Sequence, residues 1–237
     1  MDGFSYVNIF DTKGIEYLII IGFLLLIIPF WLLLNKPFDL KKQMKNVLNI
    51  LSENILRIPQ GLLFNKNHTW THLDRSGFAK VGIDDWLMHI TGSVQVDHLK
   101  SAGEKVNKGE TIVKLNRDGK QLSIASPISG EIQLLNLEAI ENPELISEDP
   151  YSQGWLYQIK PQNWVSETSS CIVAEDATAW AKQELYNFKN FYLDRLSNSD
   201  PQVSAVLQEG GELVDHPLAH SNDEVWKEFQ DNFLIIE

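Results

Sequence analysis

Apolar and polar positions along the chain follow three different rhythms. The first is a nearly unbroken apolar run at 15–34, IEYLIIIGFLLLIIPFWLLL. About 20 apolar residues in a helix match the ~30 Å hydrocarbon core of a bilayer. The run therefore predicts one transmembrane helix after a short N-terminal segment, 1–14. Glu16 lies at its edge, Pro29 predicts a kink, and Tyr17 and Trp31 fall near the ends, where interfacial aromatics are favoured. A cleaved signal peptide needs a basic start, a shorter apolar core and small residues at the cut. Asp2 and Asp11 precede this run and large residues follow it, so an uncleaved anchor is expected.

The second rhythm covers 35–60. Leu40, Met44, Val47, Leu48, Leu51 and Ile55 recur at three- and four-residue spacing, which predicts an amphipathic helical neck capped by Asp39 and ended by Pro59. Two placements fit it: on the anionic leaflet, or as a stalk packed on protein. Lys36, Lys41, Lys42 and Lys45 follow the apolar run and only Lys13 precedes it. The positive-inside bias then puts the bulk of the chain in the cytoplasm, on a single pass through an inner or cytoplasmic membrane.

The third rhythm, across 61–164, is short strands with turn punctuation. Strands are expected at 77–83 and 93–99, in TIVKL, in QLSIA and in EIQLLN. Asp84-Asp85 open a short helix, WLMHI, that Gly92 stops. Asp118-Gly119 between alternating strands is a strong hairpin signal. This is a mainly-β unit with small helices. Beyond it, 165–237 reads as an acidic, helical extension. One stripe at 177–196 carries Trp180, Leu185, Phe188, Phe191 or Tyr192 and Leu196, and a last helix capped by Asn222 or Asp223 carries Val225, Trp226, Phe229 and Phe233.

Charge and cysteine content narrow the function. The net charge of the 237 residues is −12, which argues against nucleic acid, since phosphate binding needs clustered Lys and Arg. The lone Cys171 allows neither an internal disulfide nor a thiolate metal site. His68 and His72 are four apart, as are His216 and His220, but the first pair falls in a strand-like segment and Pro217 separates the second. No metal site is expected from either pair. There is no nucleophile–base pairing, phosphate loop or nucleotide fingerprint, so nothing argues for an enzyme.

Several short motifs in a fixed order resemble glycine cleavage H proteins over about a hundred residues. They include His68-Thr69-Trp70, Val81-Gly82-Ile83-Asp84-Asp85, Gly92-Ser93-Val94, Gly103-Glu104-Lys105-Val106 and Lys108-Gly109-Glu110. Ser126-Pro127-Ile128-Ser129-Gly130-Glu131, Asn142-Pro143-Glu144-Leu145, Glu148-Asp149-Pro150-Tyr151 and Gly154-Trp155-Leu156 continue the series up to a boundary near Trp164. The resemblance implies a barrel-sandwich hybrid of two sheets with flanking helices. In that family, a lysine at the tip of the central hairpin carries lipoate. Gap-free counting from Gly109 to Pro127 puts that position at Gly119, with Asn116 where the family has an acidic residue. Lys120 is next along, but neighbouring residues on a strand point differently.

The expectation is therefore a non-catalytic, membrane-anchored scaffold subunit, without cofactor. It would face the cytoplasm and bind membrane proteins of a larger respiratory or redox complex. Trp180, Phe188, Phe191, Trp226, Phe229 and Phe233 are the partner-facing candidates, although the same stripes would also serve to cover the barrel. The alternative is a membrane-tethered carrier with lipoate on Lys120. A third reading, a periplasmic efflux-type adaptor, ranks last because the lipoyl-like motif runs continuously from Gly103 to Gly130.

Overall fold

In the computed structural model, residues 9–35, 50–199 and 213–234 are described. The chain divides into two units, Met1–Val47 and Leu48–Glu237.

The first unit holds α1 (Ile9–Asn35), with Pro29 inside it. Leu18, Ile19, Leu25, Leu26 and Trp31 are among its exposed apolar side chains. Among the described residues no helix is long and apolar enough to cross a membrane. The expected span 15–34 lies within α1.

The second unit is built on two sheets. The larger, in the order β10-β1-β2-β3-β9-β8-β5, is wholly antiparallel. Its strands are β1 (Leu63–Phe64), β2 (Thr69–Leu73), β3 (Ala79–Ile83), β5 (Lys105–Val106), β8 (Gly130–Leu135), β9 (Trp155–Pro161) and β10 (Ile172–Val173). The smaller sheet, β4-β6-β7, comprises β4 (Gln95–His98), β6 (Thr111–Arg117) and β7 (Lys120–Ala125). Val81, Ile83, Ile132 and Ile159 from the larger sheet share one core with Val113, Leu115, Leu122 and Ile124 from the smaller. That is the two-sheet, mainly-β architecture expected for 61–164.

The helix α2 (Asp85–Thr91) forms where the sequence predicts it. Asp84 caps it by accepting from Leu87 N at 2.9 Å, and Gly92 ends it. Three short helices flank the sheets: α3 (Leu137–Glu141), α4 (Glu144–Glu148) and α5 (Trp164–Thr168).

The described end of the neck differs from expectation. Residues 36–49, including Asp39 and most of the apolar repeat, lie outside the described residues. From 50 to 60 the chain is bridge, turn and irregular structure rather than helix. Ile50 bridges Val214, Leu51 N donates to Leu213 O at 2.8 Å, and the Leu51 side chain is fully buried. A three-to-four spacing of apolar residues records which ones are buried. Tertiary contact with the C-terminal segment decides that this stretch is not helical.

The extension folds back onto the sheets through α6 (Ala174–Ser199) and α7 (Asp223–Phe233), with a 3-10 turn at Pro217–His220. Asn222 caps α7 by accepting from Val225 N at 3.0 Å. Phe188 of α6 and Phe229 and Phe233 of α7 surround the Trp86 ring of α2, with ring centroids 5.8–6.0 Å away.

Candidate functional site

The central hairpin is the place where the family resemblance would locate chemistry. Arg117 pairs with Lys120, so Asp118 and Gly119 alone make the turn. Both have positive φ, +51° and +84°. That is the tight two-residue turn whose twist matches its strands, and Gly at the second position takes the left-handed conformation without strain. The tip borders an open cavity of about 500 Å³ lined by Val94, Gln95, Asn116, Arg117 and Glu144, among others.

Lys120, the first residue of β7, is held. Its Nζ donates to the Ser221 carbonyl oxygen at 2.6 Å and lies 5.7 Å from the Trp226 ring centroid. Farther along the same strand, Gln230 of α7 pairs with Ser123. Its Oε1 accepts from Ser123 N at 2.6 Å and its Nε2 donates to Ser123 O at 3.1 Å. The free edge of β7 is thus occupied by side chains of the extension rather than by another strand. Arg117, on the other arm, donates to Thr91 O at 2.6 Å, and Asn116 bonds Asp97 across to β4.

The motif residues that carry the resemblance make buried contacts of their own. His68 takes a left-handed turn (φ +58°), is fully buried, and places Nδ1 2.8 Å from Asp84. Its ring stacks on Trp86 at 3.9 Å and on Trp180 at 5.1 Å. Trp70 donates to Ile83 O at 3.0 Å. Tyr151 accepts from Asp85 N at 2.9 Å, and its phenol is pushed well above its usual range by burial first and then by Asp84. These contacts are structural, as is the Asp84 cap.

Asp85 plays a second part. Its carboxylate accepts from the Arg57 backbone N at 2.8 Å and from Arg57 Nη2 at 2.7 Å, and faces His89 Nε2 at 3.5 Å. Burial pushes the Asp85 carboxyl up, but hydrogen bonds from His89 and Arg57 outweigh it and hold it below the usual range. Burial would likewise lower His89, yet its bonds to Asp215 and Asp85 raise it to about 9.

Four of the six partner-facing candidates are buried, and Phe191 and Trp180 are half-buried. Phe188, Trp226 and Phe229 are at most 1% exposed and Phe233 is 9% exposed. Phe191 packs against the same core, and Trp180 packs against a second cluster of Leu62, Phe64, Trp70 and Ala177. Periodicity identifies the stripe of a helix, not what covers it, and here the barrel covers it. Neither four-spaced histidine pair forms a unit: His68 is buried with Asp84, His72 is exposed on β2, and His216 is gathered with His89 and Asp215. The Arg57–Asp85–His89–Asp215 chain and the hold of Ser221 and Trp226 on Lys120 have no local sequence signal. Apart from the i,i+4 contact of Asp85 with His89, they join residues 28 to 126 positions apart.

Against known proteins, the glycine cleavage H-protein family model matches residues 62–184, past the boundary expected near 164 and into α6. A glycine cleavage system H protein of Hydrogenovibrio crunogenus is 34% identical over 106 residues, covering 45% of this chain and 82% of the relative. A probable glycine cleavage system H protein of Picrophilus torridus is 41% identical over 108 residues, 45% of this chain and 85% of the relative. A crystal structure of such a protein from Mycobacterium marinum is 27% identical, covers 54% of this chain and 98% of its own, and superposes with a TM-score of 0.44. With the family model spanning half its length and relatives matched over most of theirs, this chain belongs to the glycine cleavage H-protein family.

Proposed function

We propose that this chain is a non-catalytic, membrane-anchored scaffold subunit that binds other subunits of a respiratory or redox membrane complex through its H-protein-like domain, without carrying lipoate. The observation that carries the reading is the occupied hairpin tip. Gly119 stands where the family resemblance puts the carrier lysine, and the Lys120 amine is bonded to Ser221 O under the Trp226 ring. A swinging arm needs its amine free for a ligase and its chain free to travel; this amine has neither. The exposed apolar surface of α1 supports an anchor. The lysines at 36, 41, 42 and 45 support a cytoplasmic domain on an inner or cytoplasmic membrane. With the aromatic stripes buried, the partner surface in this reading is the outer face of the H-like domain, where Leu134 and Leu137 stay exposed.

The relatives' shared name favours a second reading, a tethered carrier lipoylated on Lys120. It requires the segment around Ser221 and Trp226 to release the amine. Affinity purification in mild detergent, with mass spectrometry of the co-purifying subunits and of the Lys120 peptide, separates the two. The scaffold reading expects an unmodified Lys120 and membrane subunits in stoichiometric yield. A lipoylated Lys120 with soluble enzyme partners overturns it, as does a lone unmodified monomer.

A further inference from the structure

His89, in the last turn of α2, meets Asp215 and His216, which lead into the 3-10 turn at Pro217–His220. The His216 backbone N donates to His89 O at 2.8 Å, which fixes the two residues side by side. His89 Nδ1 lies 3.0 and 3.1 Å from the two Asp215 carboxylate oxygens, and His216 Nε2 lies 3.4 Å from Asp215 Oδ2. One ligand atom from each residue falls within 4.8 Å of the others. We propose that His89, Asp215 and His216 bind a single divalent transition-metal ion, with Zn²⁺ the best chemical match.

Zinc bonds of about 2.0–2.1 Å in tetrahedral geometry set ligand atoms about 3.3 Å apart. The separations from Asp215 bracket that value and the two imidazoles bring ligand atoms within 4.8 Å of each other, so side-chain rotations of the histidines are what close the site. Two imidazoles and a carboxylate suit zinc and its neighbours, whereas calcium and magnesium prefer all-oxygen shells. Three protein ligands leave a fourth position for water, and His216, whose side chain is 43% exposed, keeps the site accessible to an incoming ion.

A second layer is present as well. Ligand histidines usually donate their other ring nitrogen to a carboxylate, which fixes tautomer and orientation. Here His89 Nε2 faces Asp85 at 3.5 Å, and Arg57 pins that carboxylate in turn. Asp85 and Asp215 offset the charge of the ion; Arg117, whose Nη1 shares the space over Gly92 with the His216 ring, acts against it.

The same carboxylates could simply hold a charged His89. That arrangement, however, has no use for a second imidazole, yet His216 is placed with a left-handed backbone (φ +61°) and a ring within 11° of parallel to His89. A non-glycine residue in that region is uncommon and often marks a functional constraint. Gly92 makes room for it, since a Cβ there would come within 2.9 Å of His216 Cγ.

The test is calorimetric titration of Zn²⁺ into the chelator-stripped full chain in mild detergent, independent of any partner and so of the scaffold reading. One equivalent is expected to bind, with a thermal midpoint that rises with zinc. His216→Ala should weaken binding at least tenfold and Asp85→Asn by about 10- to 100-fold, while the exposed His72→Ala leaves it unchanged. Should His216→Ala fail to fold, His216→Gln removes the ligand while keeping bulk, and the same titration decides. No stoichiometric binding in the unsubstituted chain, or equal affinity in the His216 variant, overturns the site.

Discussion

Helices α1 and α7 are both rich in large apolar side chains, and the protein treats them oppositely. In α1 the described apolar residues face outward on every side, with Leu18, Leu26 and Trp31 each more than 60% exposed. In α7 they fall on one stripe, and Trp226, Phe229 and Phe233 disappear into the aromatic cluster around Trp86. The difference is one of distribution rather than composition. A stripe can be satisfied by one surface, and the barrel supplies it. An all-round apolar helix needs an apolar environment on all sides. This is why the extension reads as part of the folded body of the second unit.

The sharpest way to break that comparison is to hollow out the stripe. Phe229 is fully buried, with Trp86, Phe188 and Phe233 rings 5.1–6.0 Å away. Phe229→Ala should destabilise the second unit by about 3–5 kcal/mol, the usual range for removing a buried phenylalanine. Chemical denaturation measures it. A loss under 1 kcal/mol would mean that α7 is only loosely seated and its stripe available to a partner after all.

A second test concerns the polar end of the same attachment. His89 has a folded pKa of about 9 against an ordinary 6.5, because Asp215 and Asp85 bind its charged form. Its stabilisation is therefore complete below pH 6.5 and is lost as pH rises through 9. In chelator-treated protein the denaturation free energy should fall by about 1–3 kcal/mol across that window. His89→Gln should flatten the decline, and an equally steep decline in that variant would assign it to other groups.

What the chain made legible follows the range of the interaction. The α2 cap at Asp84, its stop at Gly92 and the Asp118-Gly119 turn are local, and each is where its residues predict. The positions of Phe188 and Phe229 on helical stripes are local too. Their common target, Trp86, is not, because nothing in a period of 3.6 says which surface will cover the stripe. The described end of the neck, 50–60, departs from helix for the same reason: Leu51 is apolar at helical spacing, but its backbone bonds Leu213, far away in sequence. The gathering of His216 with His89 required both turns of that argument, a long-range bridge and a left-handed residue, and the sequence spacing pointed instead to His220.

Lys120 offers a smaller effect at the hairpin end of the attachment. Lys120→Met keeps the aliphatic stem but removes the bond to Ser221 O and the charge over Trp226. A net hydrogen bond and a partly exposed cation–π contact together predict a loss of about 1 kcal/mol. Thermal or chemical denaturation reads it. A stability gain would mean the lysine is retained for something other than holding the extension, which is what a carrier would require.

The smallest expected effect closes the comparison from the other side. Leu25 of α1 is 66% exposed, so its side chain makes little packing contact that a truncation could remove. In mild detergent, Leu25→Ala should move the unfolding of the second unit by less than about 0.5 kcal/mol, as exposed substitutions generally do. The same chemistry applied to Phe229 should cost several times more. If instead the two substitutions destabilise the second unit alike, the contrast between a striped helix and an all-round apolar one no longer holds.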